Sequence, residues 1–377
     1  MQSLEPRSRN KLAIITPGFY EQAIGGAEYQ SYLFAKAAKE FGYQVYYVFI
    51  ATDKSRKMPN HLGITLCPIF SPKYRQYIRG IGNTAITCIP ATWKALNDIK
   101  PDFILCRSGV IQSGLGAYYA RKCNAISIWQ VASSNDLKPL RFLSVLRRPL
   151  DFMEFLSVRY AIKHSTIVLT QAEYQSKELR EKFARDSIIF KNLVPETSET
   201  IARSEEFTVV WVGNIKPLKQ PELFIQVAKI LSSVNDMRFV MIGKPAIGKY
   251  QAKLERQIST IKNLSYLGLQ SMSDVDSVLS KAHLLVNTSL YEGFPNTFIQ
   301  AWIRGVPVIS LIVNPDNVLT TFNIGCHSRT IDKMIKDLLG LYRDRTALRD
   351  MSQSARDYAL NYHSYSKNRQ RITEILS

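Results

Sequence analysis

The sequence predicts an α/β protein with two doubly wound domains, each a parallel β-sheet with helices on both faces. Three observations predict this fold class. The 377 residues exceed the usual size of one hydrophobic core. Short apolar, β-rich runs alternate with helical patterns, which is typical of parallel sheets. A polar stretch, 196–206, then separates two such series of runs.

The predicted domains are residues 1–195 and 207–362, joined by the linker 196–206 and followed by a C-terminal helix, 363–377, that could pack back on the first domain. Strands of the first domain are predicted at 11–19, 44–50, 64–70, 102–107, 125–131 and 166–172. Those of the second are predicted at 208–215, 238–244, 263–269, 283–289 and 307–311. Two facing domains of this kind leave a cleft at the carboxyl ends of their strands, where such folds bind ligands.

Composition narrows the class of protein. The chain is 46% hydrophobic and 21% charged, as in a globular protein. It has no apolar run long enough for a membrane span, and its opening, MQSLEPRSRN, is too polar for a signal peptide. We therefore expect a cytoplasmic protein. The five cysteines are scattered, without the spacing of a zinc site or a disulfide framework.

The net charge of +18 would attract nucleic acid, an anionic membrane or phosphorylated substrates. No recognisable nucleic-acid motif is present, so we expect no nucleic-acid partner. The segment 137–163 mixes basic side chains with Leu, Phe and Met. It is either a peripheral surface for anionic lipid or a set of helices packed on the first sheet with snorkelling arginines. Its basic residues are Lys138, Arg141, Arg147, Arg148, Arg159 and Lys163.

Three segments carry candidate chemistry. Gly25 and Gly26 lie where the first strand passes into the first helix, so their N–H groups could approach an anion. Lys219 lies in the turn after the first strand of the second domain, where a diphosphate would bind. Glu292 follows a buried strand, and Gln300 lies eight positions later on a helix that begins near Pro295, which would place Gln300 deeper.

These segments resemble glycosyltransferase family 4, the retaining enzymes of GT-B fold. The resemblance is carried by GGAEYQSYLFAKAAKEFGYQVYYV, VGNIKPLKQPELFIQVAKIL and, most specifically, SLYEGFPNTFIQAWIRGVPVIS. It implies two Rossmann-like domains, a nucleoside-diphosphate sugar as co-substrate, no cofactor and no metal ion.

The resemblance also implies roles for individual residues. Gly25 and Gly26 would touch the donor diphosphate, and Lys219 would offset the charge that grows on it as the glycosyl bond breaks. Glu292 would hold the hydroxyls of the donor sugar. We expect Lys219 and Glu292 on opposite sides of the donor. The backbone of Gly293, Phe294 and Asn296 would meet sugar and phosphate oxygens.

Three positions depart from the family pattern. Asn214 stands where an arginine is frequent, so one cation for the diphosphate is missing. Gln300 stands where the motif has its second glutamate, a ribose ligand. No histidine lies near IWQVASSND, where many relatives carry one. Divergence within an active subfamily and loss of activity both explain these departures.

Four polar residues at strand ends of the first domain are candidate acceptor or donor-sugar contacts: Arg107, Gln130, Ser133 and Asp136. Each is equally well explained as a satisfied loop residue. The pair Asp274 and Asp276 suggests a metal site, but helix capping by Ser273 or Asp274 explains it better. His283 opens an apolar strand and is predicted to be structural.

The sequence thus predicts a retaining glycosyltransferase that moves a sugar from a nucleoside-diphosphate sugar to a hydroxyl of a glycan or lipid-linked glycan, in surface polysaccharide or glycoconjugate synthesis. Two rivals remain. One is another GT-B enzyme, a sugar-nucleotide epimerase or a phosphorylase, since fold does not fix function. The other is a catalytically silent, basic glycan-binding protein.

Overall fold

A computed structural model describes residues 10–20, 25–51, 62–70, 87–138, 149–197 and 203–377. The chain divides into two compact units. The first comprises the residues up to Asn192 together with Arg369–Ser377, and the second comprises Leu193–Asn368. The predicted boundary lay at residue 195, and residues 198–202 of the predicted linker lie outside the described part of the chain.

The first unit contains a seven-stranded parallel sheet in the order β3-β2-β1-β4-β5-β6-β7. Its strands are β1 (Lys11–Thr16), β2 (Gln44–Ala51), β3 (Thr65–Phe70), β4 (Phe103–Arg107), β5 (Ile126–Gln130), β6 (Ile167–Thr170) and β7 (Ile188–Ile189). Ile14 pairs with Tyr47 on one side and with Leu105 on the other, so β1 lies in the middle of the sheet. The strand order reverses between β1 and β4.

Helices connect these strands. They are α1 (Gly26–Glu40), α2 (Ile89–Ile99), α3 (Ile111–Cys123), α4 (Pro149–His164) and α5 (Glu173–Phe183). The short strand β7 was not predicted, because two residues carry too little periodicity to be recognised.

The second unit contains a six-stranded parallel sheet in the order β10-β9-β8-β11-β12-β13. Its strands are β8 (Phe207–Val212), β9 (Met237–Ile242), β10 (Leu264–Tyr266), β11 (Leu284–Asn287), β12 (Val308–Ser310) and β13 (Gly325–His327). Its core includes the fully buried rings of Phe224 and Phe239. Here the strand order reverses between β8 and β11. The predicted α/β fold with two parallel sheets is confirmed.

The helices that follow β8 are α6 (Pro221–Ile230), α7 (Lys249–Ile258), α8 (Met272–Lys281), α9 (Asn296–Trp302), α10 (Val318–Thr321), α11 (Ile331–Arg343), α12 (Arg345–Tyr362), α13 (Tyr365–Asn368) and α14 (Arg371–Ile375). None of the helices in the described ranges has the length and hydropathy needed to span a bilayer. The single helix predicted near the C-terminus is instead two short ones, α13 and α14. Within the first unit, the Tyr43 hydroxyl donates to the Leu376 carbonyl at 2.9 Å, which anchors the residues after α14.

His283 is structural, as expected. Its ring packs on Phe207, and its Nδ1 accepts a hydrogen bond from the Thr208 N–H at 3.1 Å. Burial, with nearby Arg345 and Arg203, lowers the pKa of His283 to about 4. The ring is therefore neutral near pH 7, as an accepting nitrogen requires.

Candidate functional site

The strongest candidate site lies at the carboxyl edge of the second sheet, between β8 and β11. These strands are parallel neighbours, so the loops that follow them meet at one edge. This is the switch point of the sheet, the position at which open α/β sheets bind ligands. Lys219 comes from the loop after β8 and Glu292 from the loop after β11.

Hydrogen bonds hold the two loops together. The Thr288 hydroxyl donates to the Lys219 carbonyl at 2.7 Å, and the Leu290 N–H donates to the Leu218 carbonyl at 3.0 Å. Thr288 is itself fixed, because it accepts a hydrogen bond from the indole N–H of Trp211 at 3.0 Å. Pro217–Lys219 forms one turn of 3₁₀ helix, and Gln220 has a φ of 45° before α6 begins. Hydrogen bonds therefore fix the backbone both before and after the Cα atom of Lys219, from which its side chain extends.

The side chains of Lys219 and Glu292 form an ion pair, in which Nζ donates to Oε1. Their side chains are 25% and 17% exposed, so both are partly shielded yet accessible from solvent. The loops after β8 and β11 are adjacent, so the two side chains meet directly in this structure, and their placement on opposite sides of a donor stays a prediction. The pair places a cation and a hydrogen-bond acceptor at one point of the sheet edge.

The segment after Glu292 turns into α9. Pro295 caps this helix and Asn296 is its first residue. The Phe294 ring is buried against Trp302 and His363, so only its backbone remains for a ligand. The predicted backbone contacts at Gly293, Phe294 and Asn296 lie directly beside Glu292 in the chain.

Two of the three departures from the family pattern, Asn214 and Gln300, have different surroundings. Asn214 is partly buried in the turn after β8, next to Gly213. Gly243 approaches the Gly213 carbonyl so closely that no side chain could fit at position 243. Gln300 is buried on α9, and its Nε2 lies 4.0 Å from the Met272 sulfur. The deeper position predicted for Gln300 agrees with this burial.

Thr288 and Trp211 were not singled out from the sequence. Both lie in buried, strand-flanking positions that are common in any α/β core. Their contacts to the Lys219 loop depend on β8 and β11 being neighbours, which a single sequence does not specify.

The glycine turn of the first unit carries its own carboxylate. Gly25 caps α1, and the Glu28 side chain folds back so closely that a Cβ at Gly25 would collide with it. A carboxylate at a helix N-terminus is stabilised by the helix dipole. Glu28 thus lies where the donor diphosphate was expected to meet Gly25 and Gly26. Contact between that turn and a diphosphate stays a prediction.

Arg107 and Gln130 form a buried polar network at the ends of β4 and β5. Arg107 is 4% exposed; its Nη1 donates to Gln130 Oε1 at 2.8 Å and its Nη2 to Asn192 Oδ1 at 2.7 Å. Asn192 in turn donates to Gln171 at 3.0 Å. Burial lowers the pKa of Arg107 to about 10, partly offset by Glu28 and Asp136. Arg107 and Gln130 are therefore buried against other protein groups rather than exposed to solvent, although Arg107 Nε and Gln130 Nε2 have no hydrogen-bond partner among the described residues.

Ser133 and Asp136 serve a local turn. They form a capping box for the 3₁₀ turn Ser134–Leu137, in which Asp136 Oδ2 accepts from the N–H groups of Ala132 and Ser133 at 2.9 and 3.0 Å. Burial raises the pKa of Asp136, whereas these backbone donors, that of Gly109 and the charge of Arg107 lower it. Of the four first-unit candidates, the structure pairs Arg107 with Gln130 and Ser133 with Asp136.

The two aspartates that suggest a metal site both have structural partners. Asp274 completes a capping box with Ser271 at the start of α8. The cap is therefore Ser271, and the prediction of Ser273 or Asp274 was wrong by two or three positions. Asp276 forms an ion pair with the buried Arg304 at 2.9 Å. Among the described residues, no group of three or more His, Cys, Asp or Glu could hold a metal ion.

Comparison with known proteins bears on the second unit. Residues 206–344 match the family of glycosyl transferases group 1. That region contains Lys219, Glu292 and Gln300, and thus the whole candidate site. The chain is also 26% identical over 181 residues to the UDP-Gal:α-D-GlcNAc-diphosphoundecaprenol α-1,3-galactosyltransferase of Escherichia coli. This match covers 46% of the chain and 46% of that enzyme, so the chain spans about half the length of that curated relative.

Solved structures with the same fold cover nearly the whole chain. The sucrose-phosphate synthase of Thermosynechococcus elongatus superposes with a TM-score of 0.79 at 13% identity, covering 98% of each chain. Anabaena HepE, solved in complex with UDP and glucose, gives a TM-score of 0.73 at 15% identity and covers 97% of this chain and 99% of its own. At these identities the likeness establishes the GT-B fold alone.

Proposed function

We propose that this protein is a retaining glycosyltransferase that moves a sugar from a nucleoside-diphosphate sugar to a hydroxyl of a glycan or lipid-linked glycan. One observation carries the proposal. The Lys219 and Glu292 pair lies at the switch point of the second sheet, inside the region that matches group 1 glycosyl transferases. The family match supports transfer rather than epimerisation, phosphorolysis or silent binding.

Each side chain of the pair has a role in this proposal. When the bond between the anomeric carbon and the phosphate oxygen breaks, negative charge develops on the leaving diphosphate. Lys219 stabilises that charge, an interaction that is strongest in the transition state. Glu292 accepts hydrogen bonds from hydroxyls of the donor sugar. Donor binding therefore separates the two side chains and gives each a new partner.

The remaining step is attack by the acceptor hydroxyl. In a retaining transfer the hydroxyl approaches from the face that the phosphate leaves, and a new bond forms between its oxygen and the anomeric carbon. Its proton passes to the leaving phosphate oxygen. A protein base is not required, which fits a chain without a histidine near IWQVASSND. The site acts by positioning the reactants and stabilising charge.

We further propose that the reaction needs no divalent ion, with Lys219 supplying the positive charge at the diphosphate. The Escherichia coli relative is named for a lipid-linked diphosphate acceptor. This similarity supports an acceptor of the glycan or lipid-linked class and a role in surface polysaccharide or glycoconjugate synthesis. The cytoplasmic location stays a prediction.

A thermal-shift screen tests the proposal. The full chain is heated with UDP, GDP, ADP and their sugar derivatives. One nucleotide series should raise the midpoint, because a ligand at a hundred times its dissociation constant adds about 2.7 kcal/mol of stability. Product analysis with and without added acceptor then separates transfer from epimerisation. If every nucleotide leaves the midpoint unchanged, the proposal fails.

A further inference from the structure

Helices α3 and α4 of the first unit lie side by side and run in the same direction. Gly114 meets Ser157, Tyr118 meets Tyr160 at 6.2 Å between ring centroids, and Arg121 meets His164 at 3.2 Å. The contact is close because position 114 is a glycine: a Cβ there would lie 2.6 Å from the Ser157 carbonyl oxygen. The two helices therefore form one continuous face.

That face exposes large apolar side chains. Met153 is 45% exposed, Leu156 is 49% exposed and Tyr118 is 44% exposed. On α4, Met153, Leu156 and Tyr160 follow one another at spacings of three and four residues, which aligns them along one side of the helix. Between the helices lies an open cavity of about 260 Å³, lined by residues that include Leu115, Tyr118 and Tyr160. Clustered exposed apolar groups of this kind mark an interaction site.

Cations border the apolar side chains. The last turns of α3 and α4 carry Arg121, Lys122 and Lys163, all exposed. The Lys122 ammonium lies 5.9 Å from the centre of the Tyr118 ring. Aromatic and aliphatic groups beside Lys and Arg are the composition of a protein face that rests in the interfacial region of an anionic bilayer.

We propose that the α3–α4 face, defined by Tyr118, Met153, Leu156, Arg121, Lys122 and Lys163, binds the surface of an anionic membrane. Met153 and Leu156 enter the boundary between headgroups and acyl chains, and the three cations meet lipid phosphates. This proposal deepens the proposed function, because it rests on a lipid-linked acceptor being presented at a membrane. It also narrows the prediction made for 137–163, of which Arg141, Arg147 and Arg148 lie outside the described residues.

Cosedimentation of the full chain with vesicles tests the α3–α4 face. Vesicles of phosphatidylglycerol and phosphatidylcholine in equal amounts should bind the wild type at low salt, and binding should fall as salt rises. Pure phosphatidylcholine should bind it far less. The double variant Lys122→Gln and Lys163→Gln should lose on the order of 25-fold in partitioning, at about 1 kcal/mol for each cation. Met153→Ser with Leu156→Ser should lose on the order of tenfold or more.

Matched controls come from the second unit. Lys253→Gln with Lys262→Gln removes two exposed lysines, and Ile230→Ser with Ile247→Ser removes two exposed apolar side chains. Both control pairs should partition like the wild type. Thermal unfolding of every variant verifies that it is folded. Vesicle binding does not require donor, so its outcome is separable from the nucleotide screen that tests the proposed function.

Three results would overturn the proposal. The first is that the wild type does not bind anionic vesicles at low salt, and the second is that the α3–α4 variants and the control variants bind equally well. Sedimentation velocity gives the third: a dimer that dissociates in Met153→Ser with Leu156→Ser would assign the face to a second copy of the chain.

Discussion

Both units carry interacting polar side chains at the carboxyl edges of their sheets, but the two groups differ in their exposure to solvent. In the second unit, Lys219 and Glu292 form a partly exposed pair on loops. In the first, Arg107 is buried at the end of β4, and its Nη1 and Nη2 donate to the side-chain oxygens of Gln130 and Asn192. The carboxyl edges of two similar sheets thus hold a pair that a ligand can separate and a buried network that a ligand would have to break.

This difference predicts a catalytic role for the Lys219–Glu292 pair and a structural role for the Arg107 network. Solvent reaches both members of the Lys219–Glu292 pair, so each can exchange its internal partner for a substrate group without being left buried and unpaired. Removing a partner from a buried network strands polar groups at about 1 to 3 kcal/mol each. Substitutions in the second unit should therefore change activity, and those in the Arg107 network should change stability.

The largest effect is expected from Lys219→Ala and Glu292→Ala. Each should lower turnover by about 10²- to 10³-fold, the range found when one preorganised charge-stabilising group is removed. For Lys219 the loss should appear in kcat, since the charge it meets peaks in the transition state. Steady-state kinetics measures this, with Lys253→Ala as the exposed-lysine control. Near-normal turnover in either variant would remove that residue from the site.

Arg107→Leu is expected to act on stability. It leaves the Gln130 and Asn192 carbonyl oxygens without their donor, at a total cost of about 2 to 4 kcal/mol. Urea unfolding of the purified variant measures the loss. A variant with wild-type stability but no turnover would contradict the structural role of Arg107. It would indicate that Arg107, like Lys219, contacts a ligand.

Thr288→Val tests the hydrogen bond from the Thr288 hydroxyl to the Lys219 carbonyl. Valine keeps the shape but removes the hydroxyl that bridges Trp211 and the Lys219 carbonyl. We expect roughly a tenfold lower kcat with little change in KM, since a lost buried hydrogen bond is worth about 1 to 1.5 kcal/mol. Thr288→Ser keeps the hydroxyl and should restore turnover. An equal loss in both variants would mean that packing, not this hydrogen bond, matters.

The smallest effect is expected at Gln300. Gln300→Glu should change donor affinity by less than about tenfold, or roughly 1.4 kcal/mol, because stronger acceptance from ribose hydroxyls and repulsion of the diphosphate oppose each other. Gln300→Leu offers no hydrogen bond and should weaken the donor by about 1 to 3 kcal/mol. Nucleotide titration compares the three proteins. Equal affinity of wild type and Gln300→Leu would show that Gln300 does not touch the donor.

Much of the fold could be predicted from the sequence, because buried parallel strands appear as short apolar runs. Locating each strand also locates the loop that follows it. Phe207–Val212 and Leu284–Asn287 were found in this way. The contact between Lys219 and Glu292 could not be predicted from the sequence, because it depends on β8 and β11 being neighbours in the sheet. Nor could the sequence show that Arg107 turns into a buried network, because that depends on Asn192, 85 residues away.

The smaller errors arose where several neighbouring side chains could make the same local hydrogen bond. Ser271 rather than Ser273 caps α8, since both serines and Asp274 offer acceptors within one turn and only the geometry of the loop chooses among them. At the glycine turn, the sequence shows Glu28 in the first turn of α1 but not that its carboxylate folds back over Gly25.

We infer that the second unit binds a nucleoside diphosphate at Lys219. Calorimetric titration of the full chain with UDP, GDP and ADP tests it most directly, using wild type, Lys219→Ala and the control Lys253→Ala. We predict that one nucleotide binds wild type and control equally, and that Lys219→Ala binds it at least tenfold more weakly, or by about 1.4 kcal/mol. No binding by the wild type, or equal binding by Lys219→Ala, would contradict the claim.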